Sequence, residues 1–337
     1  MRVVFAGSAD VSAQLLEALY LAPGVEIVGV VTQPDRPSGR HQRFTPCPCK
    51  VRATGLGLDA VTVTPEKINA PESIAHIASL KPDIMVVVAY GQFLGKKLLD
   101  LPPLGCVNIH YSLLPLLRGA APVQWALANG FERTGVTAML MDEGMDSGDV
   151  IDTFETQITA ADTTATLFKR LNKMGVSLLL RVLPSLVLGM YRRVPQDHAA
   201  ATFAPKLKKT DGRVDWAAQT AADIERRVRA FNPWPGCFTT YDTPGFRPRL
   251  LKITEARAVE GSPGLQPGQI CARLPEGLVV QCAEGGLLLL DVIPEAHHAT
   301  KGRGADFLHA NPHFIPGAWL TSECEEEPDE PDKAEPK

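Results

Sequence analysis

Across the first 150 residues, short apolar runs alternate with stretches in which apolar positions recur every three or four residues. Residues 3–5, 26–31, 61–64, 84–88 and 106–109 are β-branched and nearly unbroken in hydrophobicity, as strands buried on both faces must be. Between them, 11–21, 71–79 and 94–99 have the spacing of amphipathic helices. The alternation predicts a Rossmann-like α/β domain, a mostly parallel sheet with helices on both faces. Such sheets take ligands beyond the carboxyl ends of their strands, which singles out the residues just after Ala89 and Ile109. Two more β runs follow at 136–141 and 150–154, then a helical pattern from 163 to about 188 with Asp162 in position to cap it.

From 191 to 215 the periodicity fades into Pro, Asp, Ala and Lys, which reads as a linker. Beyond it, 221–231 is helical, and the Asn-Pro-Trp-Pro-Gly run at 232–236 ends the helix. Short strands at 249–253, 269–273, 278–282 and 286–293, separated by Gly and Pro turns, predict a small β-barrel. The expected organisation is a domain at 1–190, a linker at 191–215, a barrel at 216–321 and an acidic, disordered tail at 322–337.

Composition changes the picture in one respect. The 337 residues carry 34 Lys and Arg against 38 Asp and Glu, a net charge of −4. Eight of those acids, with two bases, lie in the last sixteen residues, so the rest of the chain is mildly basic and a polyanionic partner is not excluded. Seven cysteines, at 47, 49, 106, 237, 271, 282 and 324, fit no disulfide framework and point to a reducing compartment. Cys47 and Cys49 stand too close for metal-ligand spacing and His297 and His298 lack partners, so no metal is expected. No secretory leader pattern and no run of about 20 uncharged apolar residues occurs, so a cytoplasmic protein of bacterial type without a membrane partner is expected.

The chain holds no G-x-G-x-x-G, P-loop or G-x-S-x-G motif, which argues against dinucleotide, phosphate-hydrolysing and serine-nucleophile chemistry. Asn108 and His110, at the end of the fifth run, share one strand face by period-two spacing. An amide there can hold an oxyanion and an imidazole can carry a proton; satisfying backbone groups at a strand end is the other reading. The Arg-Gly-Ala-Ala-Pro run at 118–122 leads into a helix start, which favours anionic groups. Asp142, Glu143, Asp146 and Asp149, around two glycines, read first as a hairpin turn and second as a metal loop, without the EF-hand pattern. Residues 32–46 form a long Pro- and Gly-punctuated loop bearing Arg36, Arg40 and Arg43 beside Phe44. It suits a phosphate backbone with an exposed base, or a solvated loop. Lys206, Lys208, Lys209 and Arg213, then Arg226, Arg227 and Arg229, form two basic clusters.

Taken together these segments resemble the methionyl-tRNA formyltransferase family over nearly the whole chain. The matching stretches are 31–40, 86–91, 108–115, 118–122, 139–148, 214–216 and 230–235. The Asn-x-His, Ser-Leu-Leu-Pro and Asp-Ser-Gly pieces are common to folate-dependent formyltransferases. The Gln-Pro-Asp-Arg-Pro loop and the Phe-Asn-Pro-Trp-Pro run point to the tRNA enzymes. The resemblance implies formyl transfer from 10-formyltetrahydrofolate to the α-amino group of methionyl initiator tRNA, by a monomer and without a metal. It implies Asn108, His110 and Asp146 as the catalytic trio. Ser112, Leu113, Leu114 and Pro115 would line the folate site, with Tyr90 and Gly91 nearby. Arg40 would engage the acceptor stem, with Arg36 and Arg43 in the same loop, and the C-terminal barrel would be OB-like and bind tRNA. The chain departs from the family at Leu116 and Leu117, where a basic or aromatic pair is usual, at the His41-Gln42-Arg43 loop tip, and at 294–298. Each departure removes positive charge from the RNA path. Two other readings remain in view: a formyltransferase acting on an amino sugar nucleotide, and a catalytically silent RNA-binding homologue.

Overall fold

Val3 to Ala6 and Ile84 to Val88 are almost wholly sealed from solvent, because an unbroken apolar run is stable only with both faces covered. They lie side by side in the middle of a seven-stranded sheet. The computed structural model describes residues 1–38, 43–241, 249–294, 302–303, 306 and 314–322. The chain divides into two units, Met1–Ala126 with Phe131–Lys206, and Leu127–Gly130 with the chain from Leu207 on.

Up to residue 190 the elements are β1 (Arg2–Gly7), α1 (Asp10–Tyr20), β2 (Glu26–Val31), β3 (Arg36–Ser38), β4 (Arg43–Thr45), α2 (Pro48–Gly55), β5 (Thr62–Val63), α3 (Pro71–Ser79), β6 (Ile84–Val88), α4 (Lys96–Leu99), β7 (Cys106–His110), α5 (Pro122–Ala128), β8 (Arg133–Leu140), β9 (Val150–Gln157) and α6 (Thr164–Val187). The sheet runs β5-β2-β1-β6-β7-β8-β9. Its first five strands are parallel; β8 runs against them, and β9, antiparallel to β8, runs with them again. The order reverses between β1 and β6, which opens a crevice past their carboxyl ends. There the Gln33 side chain and the Ser8 hydroxyl both donate to the Tyr90 carbonyl, at 3.1 and 3.2 Å.

Helix α6 buries Leu167, Leu171, Leu178, Leu179, Val182 and Leu183 along one stripe, the 3.6-residue period expected of a helix laid on a sheet. At Gly175 a Cβ would already touch Ile109 and Tyr111 at 3.4 Å, so a small residue there lets α6 close on β7. The cap differs from the sequence expectation. Thr163, not Asp162, accepts from the Thr166 N–H. Asp162 instead turns inward and takes the Arg170 guanidinium on both oxygens, at 2.9 and 2.7 Å.

The stretch expected to be a linker is paired on both sides. Val194 and Val150 exchange backbone hydrogen bonds of 2.9 Å. Farther along, Arg118 N donates to Thr202 O, and Ala204 N donates to Arg118 O. Residues 194–204 are thus a strap on the first unit. On the second unit, Val214 N donates to Phe238 O at 2.9 Å. These contacts use backbone groups, so a polar sequence without periodicity gives no sign of them.

The second unit carries α7 (Ala221–Phe231), β10 (Cys237–Tyr241), β11 (Arg249–Val259), β12 (Ile270–Leu274), β13 (Gly277–Gln281), β14 (Gly286–Pro294), β15 (Gly302–Arg303) and β16 (Leu320–Thr321). The antiparallel order is β12-β13-β14-β11-β10-β16, with β15 beside β14. Its two ends meet. Gln269 bridges Trp319, and the Leu320 N–H donates to Gly268 O at 2.9 Å, so the sheet curls into a small barrel. Strand β10 is not legible in the sequence because its five residues, directly after the Pro-Gly stop, are too short a run to show a period. Among the described residues no helix is long and apolar enough to cross a membrane.

Candidate active site

Strand β7 presents Asn108 and His110 on one face, as period two requires. His110 is buried and Asn108 partly so. The His110 Nε2 lies 2.9 Å from the Leu117 carbonyl. A carbonyl only accepts, so the ring hydrogen sits on Nε2 and Nδ1 is left to face the site. Nδ1 stands 3.6 Å from Oδ2 of Asp146.

Asp146 reaches that position from the loop joining β8 to β9. Its backbone is left-handed, φ +50°, a conformation that aspartate tolerates better than most residues but that still needs support. The carboxylate is held on both oxygens. Oδ1 accepts from Asn108 Nδ2 at 3.2 Å, and Oδ2 accepts from the Gly119 N–H at 2.8 Å. With one Asn108 hydrogen on Asp146, the second amide hydrogen has no partner among the described residues. The side chains of His110 and Asp146 are 6% and 16% exposed, a water-poor site with an opening at the carboxylate.

Two of the other acids of the loop are spent locally. Asp142 Oδ1 accepts from Gly144 N at 3.0 Å and from the Ser147 hydroxyl at 2.7 Å. Asp149 pairs with Arg193 at 2.9 Å. The hairpin reading of 142–149 therefore holds, and these carboxylates brace a turn.

The turn after β7 is fixed by Thr137, whose hydroxyl donates to Ser112 O at 2.7 Å and accepts from Leu114 N at 3.2 Å. Ser112 Oγ donates to Leu116 O at 2.5 Å. Leu114 is buried, while Leu113 and Pro115 stay half-buried. Leu116 and Leu117 pack with Ala126, Ala204, Trp125 and Phe131 in an apolar cluster, so this pair is a packing feature of the chain. The Tyr90 side chain is buried. Its ring packs in a core cluster with Val4, Val28, Met85 and Leu94, and burial pushes its phenol pKa up. What residues 90–91 leave exposed is Gly91, at φ +89°.

Of the arginines, Arg36 and Arg43 stand on the β3–β4 ribbon, which pairs Arg36 with Thr45 and Ser38 with Arg43. No hydrogen bond or ion pair among the described residues joins them to the trio. Arg40 lies outside the described residues. Leu117 and Gly119 act through main-chain groups, which no side-chain pattern marks.

Residues 1–183 match the family described as formyl transferase, and residues 206–308 match its C-terminal domain. The chain is 41% identical over 317 residues to the methionyl-tRNA formyltransferase of Myxococcus xanthus, covering 94% of this chain and 97% of that one. The same enzyme of Marinobacter nauticus is 42% identical, over 85% of this chain and 89% of its own. Among solved structures, an N-formyltransferase of Helicobacter canadensis with folinic acid and dTDP-3-aminofucose superposes with a TM-score of 0.59 at 15% identity, covering 86% of this chain and 98% of that one. HypX of Aquifex aeolicus with tetrahydrofolic acid gives 0.58 at 18% identity, over 91% of this chain but only about half of that one, 47%. At such identities the structural likeness concerns the fold.

Proposed function

The chain belongs to the methionyl-tRNA formyltransferase family, and we propose that it transfers the formyl group of 10-formyltetrahydrofolate to the α-amino group of methionyl initiator tRNA, as a monomer in a bacterial-type cytoplasm. The observation that carries this reading is the carboxylate of Asp146 held between the Asn108 amide and the His110 ring.

The reaction needs three things of a site. A neutral amine attacks the formyl carbon, the carbonyl oxygen becomes an oxyanion, and the bond from carbon to N10 breaks as N10 takes a proton. Net, one proton passes from the attacking nitrogen to N10. The free hydrogen of Asn108 Nδ2 points a donor at the oxyanion, an interaction whose loss typically costs ~10²–10³ in rate. Asp146 takes the proton of the attacking nitrogen, and His110 carries it through Nδ1, its ring held by the Leu117 carbonyl. The folate donor lies along Ser112, Leu113, Leu114 and Pro115 and the exposed main chain at Gly91. Arg36, Arg40 and Arg43 take phosphates of the acceptor stem, with further contacts from the barrel.

A single-turnover assay with 10-formyltetrahydrofolate and methionyl initiator tRNA tests the reading, with uncharged tRNA as the blank. Formyl should appear on the aminoacyl end, and His110→Ala should slow transfer by ~10²–10⁴-fold while tRNA still binds. If the donor binds and no transfer occurs, the acceptor is an amino sugar nucleotide instead. An undiminished rate in His110→Ala removes the imidazole from the mechanism.

A further inference from the structure

Asp146 is supported from behind by a residue outside the trio. The Gln196 amide nitrogen donates to two carbonyls of the Asp146 loop, Asp146 O at 2.9 Å and Gly148 O at 2.7 Å. The Gln196 carbonyl oxygen accepts twice from Arg118, from Nε at 3.1 Å and from Nη2 at 2.7 Å. Both side chains are buried, 7% and 5% exposed. The amide has one possible orientation. A guanidinium offers only hydrogens and a backbone carbonyl offers only lone pairs, so turning the amide over would break all four contacts.

The backbone on either side of Gln196 is equally tied. Two residues earlier, Val194 pairs with Val150, the first residue of β9. Six residues later, Thr202 O accepts the Arg118 N–H and Thr202 Oγ1 accepts the Leu117 N–H at 2.9 Å. One strap therefore holds the loop that carries Asp146 and the loop whose Gly119 N–H and Leu117 carbonyl meet Asp146 and His110. The left-handed backbone at Asp146 persists only where its surroundings over-determine it, and Gln196 supplies that restraint at the carbonyl of Asp146 itself.

We propose that Gln196 is a positioning residue for the transfer reaction: by fastening the Asp146 and Gly148 carbonyls to Arg118, it aims the Asp146 carboxylate at Asn108 and His110. The proposal rests on the reading that Asp146 acts in the chemistry. Gln196 touches no reacting atom, and its effect passes through Asp146.

Two variants test it with 10-formyltetrahydrofolate and methionyl initiator tRNA. Gln196→Met keeps the length and removes every hydrogen bond. Gln196→Glu keeps the contact to Arg118 and sets a carboxylate against the two carbonyls. A displacement of about 1 Å at a catalytic group costs on the order of 10²-fold, so kcat should fall roughly 10- to 100-fold in each variant, with both KM values within about threefold. Asp146→Asn and the double variant Asp146→Asn with Gln196→Met complete a cycle. If Gln196 acts through Asp146, the double variant is no slower than Asp146→Asn alone, because residues acting as a unit are non-additive. A further tenfold loss in the double variant overturns the proposal, as does an unchanged kcat in both Gln196 variants beside a slow Asp146→Asn. An unchanged kcat in Asp146→Asn overturns the catalytic reading itself, a distinct outcome.

Discussion

The main-chain N–H of Gly119 donates to Oδ2 of Asp146 at 2.8 Å, and the glycine that does so sits at φ +119° against the carbonyl of Ala204. A Cβ there would come within 2.7 Å of that oxygen, a backbone atom of the strap. Only glycine combines this conformation with this approach. Gly119→Ala should therefore lose stability by about 1–3 kcal/mol and slow transfer on the order of 10²-fold as the carboxylate shifts. Thermal unfolding and the single-turnover rate, measured together, check this. A lowered melting temperature with an intact rate would separate packing at Ala204 from support of Asp146.

Asp162 gives a pH-dependent test of the fold. Burial by itself would raise its pKa, but the Arg170 guanidinium on both oxygens and the hydrogen bonds from Thr159 and Thr166 outweigh burial and hold the carboxyl well below the usual carboxylate range. In the unfolded chain the same group protonates near its ordinary value of about 3.9. Its contribution is thus complete above that pH and is lost as pH falls through the folded value. Asp162→Asn should cost roughly 1.5–3 kcal/mol at pH 7, the worth of hydrogen bonds to a charged group. Denaturant unfolding of both proteins should show the difference steady from pH 7 to 5 and shrinking below pH 4. A gap of constant size down to pH 2 would mean that the charge plays no part.

What the sequence made legible follows period and chain chemistry. The buried strands at 26–31 and 84–88 match their structural bounds, because unbroken β-branched runs have few alternatives. Asn108 and His110 were readable as a pair from alternation alone, whereas Asp146 stood among four acids and was singled out only by family resemblance. Gln196, Leu117 and Gly119 were illegible for one shared reason: their contacts with Asp146, its loop and His110 run to or from backbone groups, which every residue carries, so no side-chain pattern marks them. The cap of α6 was misplaced by one residue for a different reason. Asp162 and Thr163 are both good caps, and the choice between them is made by Arg170, two turns further along the helix.

The cysteines should divide by burial. Cys49, Cys106, Cys237 and Cys282 are buried free thiols, and burial above all pushes each up to about 12. At pH 8 only about one in ten thousand of such groups is the reactive thiolate. Cys47 and Cys271 are half-buried. Iodoacetamide on the native protein at pH 8, read by peptide mass spectrometry, should label Cys47 and Cys271 and spare the four buried cysteines until guanidinium unfolds the chain. Native labelling of Cys106 would show that β7 opens far more readily than its place in the sheet implies.

The β3–β4 ribbon allows the RNA reading to be separated from the formyl chemistry. Arg36 meets Glu66 at 3.5 Å with both side chains largely in solvent, 65% and 73% exposed, a contact worth about 0–1 kcal/mol and easily exchanged for a phosphate. Arg43 and Phe44 are exposed on the opposite strand. An arginine that neutralises one phosphate adds close to one unit to the slope of log affinity against log salt. Arg36→Ala or Arg43→Ala should therefore raise KM for methionyl-tRNA and flatten that slope by about one unit. The KM for the folate donor and kcat at saturating tRNA should change by less than about twofold, since neither arginine is bonded to the trio. Filter binding across 50–300 mM salt, beside the kinetics, reads both quantities. If the slope stays at its wild-type value in both variants, the RNA passes elsewhere and the ribbon is a solvated loop. If kcat falls instead of KM, the ribbon acts on the Asn108, His110 and Asp146 cluster by a route other than RNA binding.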